Sequence, residues 1–197
     1  MSPPTPTNRG SRPANVVAQA LVSYLRQEHR AIEQVLTSLD HYVDRLEWGQ
    51  LPDPQELGCI VKFLREFLDL GHRAKEDRYV LPLLLEHGLL SRPTFVELRA
   101  AHDAELALMR RLQQLTFSAC GWSDQDQLRI IELGRRVTAF NRDHLHREEE
   151  VLDRLVAGSL PIDAGKELLA RLERFDQRWD QHGQRSWLLA LARNLGT

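Results

Sequence analysis

From Val16 onward, apolar residues return at spacings of three and four. Leu25, Ile32, Val35, Leu36, Leu39, Tyr42, Val43 and Leu46 share one helical face, with His29 among them. The run ends at Trp48-Gly49-Gln50-Leu51-Pro52-Asp53-Pro54, a loop by its Gly and Pro content. A second helix carries Leu57, Ile60, Val61, Leu64, Phe67, Leu68, His72, Glu76, Tyr79, Val80, Leu83 and Leu84, and stops at a glycine cap, His87-Gly88. Pro82 inside that pattern predicts a kink or an early end. Pro93 opens a third helix through Leu98, His102, Leu106, Met109 and Leu112. After the loop Cys120-Gly121-Trp122-Ser123, capped by Ser123 or Asp124, a fourth carries Leu128, Ile131, Val137, Phe140, His144, Glu148, Val151, Leu152 and Leu155. Gly158 to Pro161 breaks the chain, and two further helices follow, at about 162–179 and 185–194. No segment alternates with period two, so the fold class expected is all-α. The predicted organisation is a tail over 1–15, holding four of the nine prolines and expected to be disordered, a bundle over 16–157, and a C-terminal helical extension over 158–197.

Composition narrows the function. The chain has 197 residues, 42% hydrophobic and 27% charged, the balance of a globular protein with a real core. A net charge of −2 offers no basic excess for nucleic acid or an anionic membrane. The longest apolar run, Tyr79 to Leu85, is too short for a membrane span. The segment from Met1 to Asn15 holds no apolar stretch of a secretion signal, and Cys59 and Cys120 form no disulfide framework. Both features suit a reducing, cytoplasmic setting. The eight histidines stand out.

Four of them fall one to a helix: His29, His72, His102 and His144. Glu76 and Glu148 follow two of these by four positions, about 40° further round the same helix face. Chance alone gives about one such His/acid pair in this composition, and His29/Glu33 and His146/Glu150 also occur. Position along the helices is the stronger signal. His29 lies as far before Glu47 as His72 lies after Pro54, so an antiparallel hairpin brings them level. Glu76 and His102 come level across the next turn in the same way. The spacing also repeats. The steps from His72 to His144 and from Glu76 to Glu148 are equal, and the step from His29 to His102 is one position longer. Two helix hairpins, each giving one His and one His/Glu pair, predict a pseudo-two-fold layer in an up-down-up-down four-helix bundle. Such a layer suits a pair of metal ions, with imidazoles on each and carboxylates between them; imidazole and carboxylate donors suit iron, manganese or zinc.

At these residues the chain resembles the hemerythrin family, in its HHE cation-binding branch, over about Ala18 to Val156. The strings Glu28-His29, Glu76 followed by Leu81-Pro82, and His144-Leu145-His146-Arg147-Glu148-Glu149-Glu150-Val151-Leu152 carry the likeness. The resemblance implies two iron ions (Fe2+/Fe3+) with a bridging oxo or hydroxo group, able to bind or react with dioxygen, peroxide or nitric oxide. Two departures qualify it. Oxygen-carrying members have a second His one turn after the third-helix His, where this chain has Leu106. Their fourth-helix carboxylate lies five positions after its His, at Glu149; Glu148 is favoured here because it repeats Glu76, and Glu149 stays open. The missing imidazole points away from a reversible carrier, towards a redox, peroxide-handling or sensing member.

Several neighbours carry two readings each. Glu33, one turn past His29, is a ligand, a supporting group or a solvated edge. Glu105, three past His102, is the candidate replacement for the missing His. Tyr79 faces the site or the layer beyond, as a core aromatic or as a phenol beside the metals. Leu25, Ile32, Phe67, Leu106 and Phe140 are expected in the core, some lining a dry pocket over the metals. His41, His87, His146 and His182 are read as surface residues. The extension is expected to pack on the bundle or on a second copy in a homodimer. The expected function is therefore a di-iron protein acting on a small ligand, with weak peroxide- or oxygen-consuming activity left open. The alternative is an oxygen or iron sensor, or an iron store, without turnover. A ferritin-like carboxylate enzyme is disfavoured, since no Glu-x-x-His occurs.

Overall fold

The computed structural model describes residues 16–116, 122–158 and 160–195. The expected tail over 1–15 and the Cys120-Gly121 part of the third loop lie outside the described residues. Seven α-helices and no strand occur among those described. Helix α1 spans Val16–Glu47, and Gly49, in the left-handed region at φ 74°, turns the chain out of it. Asp53 accepts from the Gln55 amide and Pro54 takes the first position of α2 (Pro54–Phe63), where a missing N–H costs nothing. The helix runs on through π-helical turns at Leu64–Arg73 and Glu76–Val80 into α3 (Leu81–Glu86), which ends at Gly88 with φ 68°. Helix α4 spans Arg92–Thr116 and α5 spans Asp124–Ala157. A reciprocal Ser123/Asp126 capping box starts α5 and satisfies two otherwise orphaned donors. The chain closes with α6 (Ile162–Trp179), a 3₁₀ turn over Asp180–His182 and α7 (Gln184–Leu195).

Helix α1 lies against α2 and α5, and α4 against α2 and α5, so chain neighbours are spatial neighbours in an up-down-up-down bundle. The antiparallel register of α1 and α5 is marked by ion pairs along their seam. Arg26 meets Glu149 and Asp153, Arg142 meets Glu33 and Asp40, and Arg135 meets Asp40, Asp44 and Glu47. Helices α6 and α7 lie on the same bundle, against α1 and the second helix.

The second helix departs from a regular α-helix. Its π turns bond i to i+5 rather than i+4, which adds a residue to each turn and shifts the register of everything after Leu64. Pro82 does not end the helix at once: it falls in the first turn of α3, just where the π ladder gives way to α. Val80 and Leu81 turn inward at 2% and 3% exposure, while half-buried Tyr79 packs against the same apolar block and edge-on against Phe175 of α6, as a core aromatic. Leu25, Ile32 and Phe67 are buried as expected, but Leu106 and Phe140 are only half-buried, and Phe140 lines an outer groove between α4 and α5 with Leu108. Among the described residues no helix is long and apolar enough to cross a membrane.

Candidate metal centre

The core divides into two apolar blocks. One holds Ile32, Leu36, Phe67, Met109 and Val137; the other holds Leu25, Val80, Leu98, Val151 and Leu152. Between them each helix of the bundle carries polar residues: His29 from α1, His72 and Glu76 from the second helix, His102 from α4, and His144 and Glu148 from α5. All six are at most 6% exposed. Burying such groups between two oily layers is costly unless something pairs them.

They form two overlapping groups. His29, His72, Glu76 and Glu148 make one; Glu76, His102, His144 and Glu148 make the other. Within each group the ligand-type atoms all lie within 4.8 Å of one another. The His29 and His72 rings meet edge-on at 4.9 Å, and His102 and His144 at 4.7 Å. Every Nε2 points at the two shared carboxylates. Glu148 lies 3.6 Å from that of His29, 4.0 Å from His72, 3.4 Å from His102 and 2.7 Å from His144. Glu76 lies 3.4 Å from that of His72 and 3.6 Å from His102. Few of these contacts have hydrogen-bond geometry. The Nε2 atoms of His29, His72 and His144 and one oxygen each of Glu76 and Glu148 are buried without a hydrogen-bond partner among the described residues. Five orphaned donor atoms converging from three helices fit a pair of cations, which such a set would bind at lone pairs that no protein donor uses.

The far side of three imidazoles is held by carboxylates. His29 Nδ1 lies 2.7 Å from Glu149, His72 Nδ1 2.9 Å from Glu28, and His102 Nδ1 3.0 Å from Asp77. A carboxylate accepting from Nδ1 fixes the tautomer and aims Nε2 into the layer. Glu149, left open as a ligand by the sequence, thus sits outside the layer behind His29. Glu28 enters the sequence reading only through the string Glu28-His29, with no role assigned, and Asp77 not at all; each adjoins a candidate ligand, His29 and Glu76, but neither carries a periodic signal. Glu33 lies at the surface, ion-paired to Arg142 at 2.7 Å, and belongs to neither group. Glu105 is fully buried yet meets the Arg73 guanidinium instead of the layer. His41, His87, His146 and His182 are exposed.

Protonation follows the charges. Burial opposes a charged His72, but Glu76, Glu148 and Glu28 outweigh it and push its pKa up to about 10. Burial likewise opposes a charged His102, and Asp77, Glu148 and Glu76 push it up to about 9. Burial and then the charge of Glu148 raise Glu76 to about 8. Glu148 is held well below the usual carboxylate range against its own burial, by His144 and the other imidazoles. Burial and the neighbouring His72 lower His29. Protons therefore balance the two carboxylates wherever no cation does.

A family model, Hemerythrin HHE cation binding domain, matches residues 20–156. No curated protein and no solved structure matches the chain.

Proposed function

The chain belongs to the hemerythrin HHE cation-binding family, and from that premise we propose that its six-residue layer holds two iron ions and binds or reacts with dioxygen, peroxide or nitric oxide. The observation that carries this reading is the sharing of Glu76 and Glu148 between two groups, each completed by two histidines. His29 and His72 serve one ion, His102 and His144 the other, and the two carboxylates offset part of the charge of both. Nitrogen and oxygen donors with no cysteine in either group leave zinc and manganese as substitutes.

Iron supplies the electrons and the coordination positions that small oxidants or nitric oxide use. The chain's own part is orientation and exclusion of water. Glu149, Glu28 and Asp77 fix three imidazole rings from behind. The apolar blocks on either side keep the layer dry, which strengthens every charge interaction inside it. Only two histidines stand on each side, and Glu105 is engaged by Arg73, so the protein fills fewer positions than a saturated site. That favours a reacting or sensing role over inert storage.

The test is to purify the protein from iron-supplemented cells, count metal per chain, and record the visible spectrum through reduction and re-exposure to air. About two irons per chain, with absorption that bleaches on reduction and returns in air, is the expected result. A single metal, or iron that gives no spectral response to air, peroxide or nitric oxide, overturns the reading.

A further inference from the structure

Behind His72 lies a buried charge network that the metal layer itself does not require. Glu28, 2% exposed, divides its carboxylate: Oε2 holds His72 Nδ1 at 2.9 Å, while Oε1 takes Lys75 Nζ at 2.5 Å and Arg185 Nη2 at 3.1 Å. Lys75 has no exposed surface; its ammonium also reaches Asp176 at 2.8 Å and the Tyr24 hydroxyl at 2.9 Å, and lies over the Tyr24 ring. Asp176 in turn accepts from Tyr24 and pairs with Arg185 Nε at 2.9 Å. Two acids and two bases thus close on one another, with Asp176 contributed by α6 and Arg185 by α7. A second contact seats the extension at the same place. The Trp179 indole lies on Gly71, the residue before His72, so closely that an added Cβ would come within 2.2 Å of it. Among the described residues no comparable contact reaches the other half of the layer: His102 is backed by Asp77 alone, and His144 Nδ1 has no partner.

The geometry points to the C-terminal helices as a coupling device: α6 and α7 position Glu28, and through it His72, so that occupation of the His29/His72 half of the metal pair and docking of residues 162–195 strengthen each other. The inference rests on the metal-pair reading above. Its physical content is reciprocity. If docked helices hold Glu28 where it aims His72, the ion that needs His72 binds more tightly to the docked form, and must then stabilise that form by the same factor. Arg185, Asp176 and Lys75 are positioning residues; none of them touches the layer. Carboxylates that orient a metal-bound histidine are worth roughly 10–100-fold in affinity, and a group one contact further out falls at the lower end, about tenfold. The output of such a device is the accessibility of the α6–α7 surface to other molecules.

Two measurements test it on the full chain. In hydrogen exchange, wild-type protein is compared metal-free and loaded with zinc, which is redox-silent. The amides of 162–195 should slow on loading, by about the same tenfold as the affinity change. In a zinc titration against a chelating indicator, Arg185→Gln should hold one ion about tenfold less tightly and the other as the wild type does, with Arg185→Lys restoring most of the loss. The asymmetry separates positioning from general loosening, which would weaken both ions. Two bound ions with unchanged exchange at 162–195 overturn the inference, as do equal losses of both ions, or of neither, in Arg185→Gln. The exchange comparison needs no variant, so it decides even where Arg185→Gln folds poorly. Wild-type protein that binds no zinc and no iron overturns the metal-pair reading itself, and the inference with it.

Discussion

Among the described residues Glu148 is the one carboxylate within 4.0 Å of all four imidazole Nε2 atoms, whereas each histidine belongs to one half of the layer. Neutralising it should therefore differ in kind from removing a histidine. Glu148→Gln takes away a charge common to both ions, and metal content should fall from about two per chain to well below one. His29→Ala removes a donor from one half only and should leave about one ion. Metal analysis after gel filtration checks both, and equal losses in the two variants would count against a shared carboxylate. The repeated spacing of the two hairpins makes this set legible in sequence, because four buried histidines and two buried glutamates must sit at matching heights to be tolerated at all. The residues behind the histidines are not legible. Glu28 lies next to His29 in the chain but serves His72, across a helix pair, and Glu149 serves His29 rather than joining Glu148. Such pairings depend on how far two helices rotate about their axes, which spacing does not encode.

At the scale of elements, the lengths and ends of α1, α4, α5, α6 and α7 follow from apolar periodicity and caps, and the helix running from Pro54 to Glu86 follows only in outline. Its π turns are the reason. An α reading from Leu64 onward turns Arg73 to the side opposite Leu64, yet it is 3% exposed. The π turns rotate it inward to meet Glu105, while fully buried Lys75 meets Glu28 of α1 and Asp176 of α6. Gly71 sits in the middle of this stretch, with Trp179 packed where a side chain would be. Gly71→Ala should push the indole off the helix and overpack the α6 seam, costing about 1–3 kcal/mol, seen as a lower midpoint in urea. By contrast Gly58 has open space where its Cβ would be, and an alanine favours a helix interior by about 0.5–1 kcal/mol. Gly58→Ala should raise the same midpoint. Equal effects of the two substitutions would mean that Trp179 is not seated on Gly71.

For the whole molecule, the layer makes stability depend on pH in opposite senses with and without metal. His72 and His102, raised to about 10 and about 9, and Glu76, raised to about 8, all bind protons more tightly in the fold than in the unfolded chain. Their stabilising contribution is complete below the unfolded values and is lost as pH rises through the folded ones, so the metal-free protein should lose stability from about pH 5, where Glu76 ionises in the unfolded chain, up to about pH 10. His29, which is lowered, acts in the other sense, but only up to its ordinary value near 6.5, so it does not oppose the loss above about pH 7. Metal reverses the trend, because an ion can bind only where those protons have left. Loading must then release protons, and affinity must rise with pH over the same range. Thermal midpoints of zinc-loaded and metal-free protein should therefore diverge from pH 7 to pH 9, and a zinc titration in weak buffer at pH 7.5 should acidify the solution. Parallel midpoints across that range would mean that the ions are held elsewhere than among His72, His102 and Glu76. A polar layer between two apolar blocks thus leaves the fold with two ways to balance Glu76 and Glu148, protons or cations, and the pH dependence reports which of them is present.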